Sequence, residues 1–227
     1  MFAKRCLQFY AALVSVESIT PEPAGLRALA HPVRLRILGL LRTDGPATAS
    51  TLAARLGLNS GATSYHLRQL AGHGFVVDVP ERGNGRDRWW RAAHRSTETT
   101  PETEATPEGR DATDAFGQAI AVVHTEGLQR AVEERPLLPE SWRRASTLSD
   151  WQLRLTPQRA EELLNTLVAV VDSWQHDPSP NDRPDAAGEA DGAGGADVAD
   201  VADPAELFTV VLHTYPRPGR LTLDADR

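Results

Sequence analysis

Residues 48–93 read TASTLAARLGLNSGATSYHLRQLAGHGFVVDVPERGNGRDRWWRAA, and the order of patterns within them decides the fold. Ser50 is a candidate cap for a helix through Leu56, with Leu52, Ala53 and Leu56 on its inner face. Gly57-Leu58-Asn59 makes a turn. Asn59 or Ser60 then caps a second helix running to about Ala71, with Leu67 and Leu70 inward and Gly72 and Gly74 ending it. Phe75-Val76-Val77-Asp78-Val79 has the composition of a strand. Arg82-Gly83-Asn84-Gly85-Arg86 is a tight loop of Asn-Gly character, and Arg88-Trp89-Trp90-Arg91-Ala92 alternates as the returning strand. Two short helices across a turn, followed at once by a hairpin, make a helix-turn-helix with a β-hairpin wing.

The residues upstream supply the rest of a core. From Pro23 to Thr43, Leu26, Leu29, Ala30, Val33, Ile37, Leu38, Leu40 and Leu41 recur at three- and four-residue steps. Pro32 marks a break or a helix start after Ala30-His31, and Asp44-Gly45-Pro46 a stop. His31 reads as a packing residue at that start, His66 as facing core or backbone, and His73 as a surface turn residue. Arg34 and Arg36 read as surface or salt-bridge residues, with Arg34 also within reach of a DNA backbone.

Net charge is −7 over 227 residues, which looks wrong for a nucleic-acid binder until it is divided. Residues 24–95 hold eleven Arg against four Asp or Glu, leaving −14 on the rest. A basic module between acidic flanks points to a polyanionic partner. Lys4 is the only lysine among twenty-four basic residues, so arginine richness alone carries little weight. Cys6, the only cysteine, permits neither an internal disulfide nor a thiolate cluster, in keeping with a reducing cytoplasm. No apolar run reaches the 18 or so residues of a membrane span. Lys4 and Arg5 before an apolar run give the start a faint signal-peptide look. Gln8 interrupts that run, and no small-x-small cleavage site follows. The expectation is an extra helix or an early start codon, with the true start near Val14 or Val16.

The second helix of the motif has what a DNA-reading helix needs. Ser60, Gly61, Ala62, Thr63, Ser64 and Tyr65 put small or polar groups at its N-terminal end, so that it can approach base edges closely in the major groove. Helix amides and hydroxyls there can bind phosphate. Arg68, one turn beyond Ser64, can reach a phosphate or a guanine. In the wing, Arg82, Arg86 and Arg88 flank the glycines and can touch phosphates or enter the minor groove, with Asn84 at the tip. Trp89 and Trp90 point to opposite faces, one of them into the core. The expected DNA-binding set is Ser60, Ala62, Thr63, Ser64, Tyr65, Arg68, Arg82, Asn84, Arg86 and Arg88.

LRALAHPVRLRILGLL (26–41), LAARLGL (52–58) and SYHLRQLAGHGFV (64–76) resemble ArsR-type winged-helix regulators, over about a third of the chain. The resemblance implies a compact helical core, a wing, gene regulation and usually a homodimer. Many of its members sense metals. Their thiolate site needs paired cysteines on the helix before the turn, and STLAARL has none. Their dimer-interface site needs Asp, His and Glu on a C-terminal helix. Asp114, His124 and Glu126 are present here, but Asp114 and His124 stand ten residues apart and the second His is missing. No metal or other cofactor is expected.

Thr-, Glu-, Ser- and Pro-rich residues 95–111 read as a linker. Phe116, Ile120, Val123, Leu128 and Val132 give one long helix over roughly 112–134, broken by Pro136 and Pro139. A shorter helix follows over Ser141–Ser149. Trp151-Gln152-Leu153-Arg154-Leu155 alternates like a strand. Thr156-Pro157 opens another helix as cap and first residue, running to about Gln175 with Leu163, Leu164, Leu167, Val168, Val171 and Trp174 inward. The Asp-, Ala-, Gly- and Pro-rich composition of 176–204 predicts disorder. Glu206 to Tyr215 reads as a last strand, able to pair with that near Leu153. Trp142, Trp151 and Trp174 line either a pocket or an ordinary core.

The expected fold is mainly α with a small β-wing: a winged helix-turn-helix plus a C-terminal α+β region. Its parts are an N-terminal extension (1–22), the winged domain (23–94), the linker (95–111), a dimerisation or sensing region (112–215) interrupted at 176–204, and a tail (216–227). No nucleophile–base set, phosphate loop or paired-carboxylate pattern stands out, and Glu133-Glu134 and Glu161-Glu162 read as solvated helix faces. The expected function is a cytoplasmic, dimeric, sequence-specific DNA-binding regulator, a repressor and not an enzyme. It would hold duplex DNA and, through its C-terminal region, a small-molecule or protein effector. The alternative is a winged-helix module that binds protein without specific DNA binding.

Overall fold

The computed structural model describes residues 18–80, 88–175, 206–216 and 218. Contacts divide the chain into two units, 1–134 and 135–227. In the first, β1 (Ser18–Ile19) leads into α1 (Pro23–Leu29) and α2 (Pro32–Thr43). Both helices begin with Pro, where the missing N–H costs nothing. His31 caps α2, its Nδ1 accepting the Val33 amide at 3.2 Å. β2 (Ala47–Thr48), α3 (Ala49–Leu56) and α4 (Ser60–Gly72) follow, then β3 (Val76–Asp78), β4 (Trp89–Ala92) and β5 (Ser96–Thr97). β4 is the centre of a three-stranded antiparallel sheet, with Trp90 opposite both Ala47 and Asp78. β5 pairs in parallel with β1, Ile19 opposite Thr97.

The turn between α3 and α4 rests on Gly57. Its φ of 65° lies in the left-handed region, and the Leu58 amide reaches back to the Ala53 carbonyl at 2.9 Å. The cap of α3 is Thr48 rather than Ser50, its Oγ1 accepting the Thr51 amide at 3.1 Å. The reason is tertiary: Thr48 is held extended by pairing with Trp89, so the helix can start at Ala49. Asn59 caps α4 through Oδ1, which accepts the Ala62 amide at 2.7 Å.

The core is one cluster. Leu26 and Leu29 of α1, Ile37, Leu38 and Leu41 of α2, Leu52 of α3, and Leu67 and Leu70 of α4 meet Phe75, Val76 and Trp90 from the wing. Trp90 is the buried tryptophan of the pair and Trp89 is half-buried.

Residues 95–111, expected to be a linker, contain β5, a 3₁₀ turn at Thr103–Ala105 and the first turn of α5 (Pro107–Glu134). Thr106 starts this helix by accepting the Gly109 amide on its Oγ1 at 3.1 Å. Ala112 and Phe116 join the core cluster, Ile120 packs against it, and α5 lies chiefly on α1 and α2. Arg27–Glu108 and Arg36–Glu126 ion pairs flank the contact. Burial drew this helix in, which local composition does not register. Beyond Ile120 its other face is bare: Val122, Leu128 and Val132 are exposed.

The second unit holds a 3₁₀ turn at Arg135–Leu137, α6 (Glu140–Ala145) and α7 (Pro157–Gln175). Thr156 Oγ1 accepts the Arg159 amide at 3.3 Å, as the Thr-Pro pair predicts. Leu163, Leu164, Leu167, Val168 and Val171 line the half-buried face of α7, with Trp174 exposed. The strands expected at Trp151–Leu155 and Glu206–Tyr215 do not form: both stretches are irregular and exposed. An alternating pattern becomes a strand only where a neighbouring strand completes its backbone hydrogen bonds, and among the described residues no ladder forms here. Trp142 stacks on Phe208 at 6.4 Å between ring centroids, while Trp151 and Trp174 lie open. None of the described residues of this unit is buried. Residues 1–17, the wing loop at 81–87 and the low-complexity stretch at 176–205 lie outside the described residues.

Candidate nucleic-acid interface

The N-terminal half of α4 stands at the surface on a rigid base. Leu67 and Leu70, both fully buried, fix the helix against α1, α2 and α3. Ser60 and Gly61 are exposed, Ala62 and Ser64 half-buried, and Tyr65 is 51% exposed. Arg68 is exposed and takes part in no ion pair among the described residues. Thr63 departs from the expected set. Its side chain is fully buried and its Oγ1 donates to the Asn59 carbonyl at 3.1 Å, so it shapes the helix start and does not face outward. The half-turn between positions 63 and 65 explains this: residues 63, 67 and 70 share the inner face of the helix.

Behind Tyr65 lies a group that local pattern did not bring together. The His31 and His66 rings stand 4.7 Å apart, and Tyr65 meets His66 edge-on at 5.5 Å. Arg34 adjoins both histidines and Tyr65 electrostatically. Partial burial, then neighbouring positive charge, pushes both imidazoles below the ordinary histidine value. Burial also lowers the Arg34 pKa, against a smaller opposing effect of Tyr65. Arg34 Nε and His66 Nδ1 are buried without a hydrogen-bond partner among the described residues. Residues 31, 34 and 66 come from two helices more than twenty positions apart, so no window of sequence holds the cluster.

In the wing, Arg88 is exposed yet engaged. Its Nε donates to Asp78 Oδ2 at 2.7 Å and its guanidinium lies 4.4 Å from the centroid of the Trp90 ring. A contact to DNA by Arg88 would have to compete with these. Arg82, Asn84 and Arg86 lie outside the described residues. Among the described residues no group of three His, Cys, Asp or Glu is placed to hold a metal. Glu126 of the Asp114–His124–Glu126 set is taken by Arg36. No helix among the described residues is long and apolar enough to cross a membrane.

Residues 29–79 match a family model described as a helix-turn-helix domain. No curated protein matches the chain. Solved structures similar to it include the homodimeric winged helix-turn-helix DNA-binding domain of a possible ArsR-family transcriptional regulator from Mycobacterium bovis, at 27% identity over 47% of this chain and 81% of that one, TM-score 0.29. Others are the apo form of ZitR from Lactococcus lactis (15% identity, 77% and 92% covered, TM-score 0.27) and a transcriptional regulator from Thermotoga maritima (13%, 76% and 93%, TM-score 0.27). TM-scores this low carry no weight beside the family model and the geometry of residues 18–134. Residues 29–79 therefore form a helix-turn-helix domain, with the antiparallel pair β3 and β4 packed beside it as a wing.

Proposed function

We propose that the chain is a sequence-specific DNA-binding transcriptional regulator that works as a homodimer and represses by occupying a promoter. The observation that carries this reading is the start of α4 at the surface, where Ser60, Gly61, Ala62, Ser64 and Tyr65 leave room for a base edge and Arg68, one turn on, is exposed and in no ion pair among the described residues. The local basic charge of residues 24–95 supports it. In a dimer, two such helices enter successive major grooves about 34 Å apart. The exposed Val122, Leu128 and Val132 of α5, and the lack of buried residues in the described part of the second unit, support a role in dimerisation or effector sensing. The reading assigns the protein to the cytoplasm, with no enzymatic activity and no metal.

Gel shifts against fragments of the source genome at two salt concentrations test it. A sequence preference with steep salt dependence is expected. Arg68→Ala should weaken specific binding by about 1–3 kcal/mol, whereas Arg86→Ala should weaken binding to all sequences and flatten the salt slope. Absence of binding to any fragment overturns the reading and leaves a protein-binding winged helix.

A further inference from the structure

Arg42 lies in the last turn of α2 with its side chain laid against the segment that follows β4. Its Nε donates to the His94 carbonyl at 3.0 Å and its Nη2 to the Thr97 hydroxyl at 2.8 Å. Neither partner is charged. Burial alone pushes this guanidinium down to about 10, as befits a cation withdrawn from water with no carboxylate to offset the loss. Next to it is a cavity of about 200 Å³ whose wall includes Arg42, Arg91, His94 and Arg95, together with Leu41 and two alanines. Among the described residues no acidic side chain lines it. Three arginines, Arg42, Arg91 and Arg95, contribute to the lining of one small cleft and raise the positive potential there. The Arg91 guanidinium, and the Arg42 Nη1 that bonds neither His94 nor Thr97, offer donors suited to the oxygens of phosphate and carboxylate. The volume is below the roughly 300–1,000 Å³ of pockets for drug-sized ligands, which restricts the occupant to a small ion or ester.

We propose that this cleft at the base of the hairpin binds a small multivalent oxyanion of phosphate chemistry, held between Arg42 on α2 and Arg91 on β4. Such an oxyanion exists free in solution and also in the DNA backbone. The topology favours the free form. At 1.5 Å per residue, Arg42 stands about 12 Å along α2 from Arg34, the residue that adjoins Tyr65 and His66 of α4. The cleft adjoins the closed base of the hairpin, where the Ala93 amide donates to the Phe75 carbonyl at 2.9 Å. Phe75 follows the C-terminal end of α4, whereas the reading residues occupy its N-terminal end.

Calorimetric titration of the full chain with inorganic phosphate at constant ionic strength, with chloride as control, tests the proposal. Saturable binding is expected, weakened at least tenfold in Arg91→Ala, whose exposed side chain, among the described residues, bonds only the Ala92 carbonyl, at 3.2 Å. Arg42→Lys, which keeps the charge and loses the fork, should weaken it as strongly. Circular dichroism confirms that each variant is folded. Absence of saturable phosphate binding, or equal binding by wild type and both folded variants, overturns the site. Duplex DNA binding in phosphate-free buffer separates the two sources. Unchanged affinity in Arg91→Ala supports the free oxyanion, and a parallel loss assigns the contact to the DNA backbone and overturns it.

Discussion

Asn59 and His66 show two ways in which single side chains set up the reading helix. Asn59 Oδ1 takes the Ala62 amide at 2.7 Å, satisfying an amide that would otherwise go unbonded at the exposed end of α4. Asn59→Ala should cost about 1 kcal/mol, read as a lower midpoint in denaturant with an unchanged slope. His66 acts through protonation. It faces His31 and Arg34, with Tyr65 at its edge, and both imidazoles are held below the ordinary 6.5. Near that pH the unfolded chain binds more protons than the folded one, so stability is full above about 6.5 and is lost as the pH falls through it. The melting temperature should therefore drop between pH about 7.5 and about 5.5, and drop less in His66→Gln. Equal pH dependence in the two proteins would remove His66 from this role. A lone histidine in the sequence indicates none of this. The shift arises from the ring and guanidinium that folding places beside it.

At the scale of elements, α5 is the most informative. Its start is written in Thr106-Pro107, the same cap-and-proline pair that opens α7 at Thr156-Pro157. Reading 95–111 by composition alone hides it. The first turn of α5 also makes a close approach: a Cβ at Gly109 would lie 1.7 Å from the Thr103 carbonyl oxygen, whereas one at Gly117 would meet nothing within 4 Å. The two glycines should thus respond with opposite signs. Gly109→Ala should destabilise by about 1–3 kcal/mol through overpacking. Gly117→Ala on the exposed side of the same helix should stabilise by up to about 1 kcal/mol. Thermal unfolding of the pair checks this, and stabilisation by both would contradict the contact between α5 and the 3₁₀ turn.

For the whole molecule, the division after Glu134 matters most. Every residue of the hydrophobic cluster precedes position 121, and the described part of the second unit buries nothing. A fragment of residues 18–134 should then fold by itself, with a cooperative transition and a melting temperature within a few degrees of the full chain's. A fragment with helical signal but no cooperative transition would place stabilising contacts beyond Glu134. The charge is divided elsewhere: residues 24–95 carry net +7 and the rest of the chain −14, so the positive balance belongs to the helix-turn-helix and wing alone.

The helix-turn-helix was legible because its signals are local. Periodicity, Asn59 as cap and Gly57 at a left-handed turn act within a few residues of themselves, so Leu52, Leu67 and Leu70 could be placed in the core from the sequence. Of the reading set, Ser60, Ala62, Ser64, Tyr65 and Arg68 lie on the outer part of α4, while Thr63 turned inward because helical phase puts it with Leu67. Local pattern failed where a distant partner was needed. Trp151–Leu155 and Glu206–Tyr215 alternate like strands yet form none among the described residues, whereas the short Ser96–Thr97 became one because Ser18–Ile19 lay beside it. The sequence by itself determined the helices, the turn, the paired strands of the wing and the basic balance of 24–95, since each is set within a short stretch of chain. Only the tertiary structure decided that α5 belongs to the DNA-reading unit, that His31, Arg34 and His66 meet, and that Arg42, Arg91 and Arg95 surround one cleft, because burial and charge act between residues that the chain holds far apart.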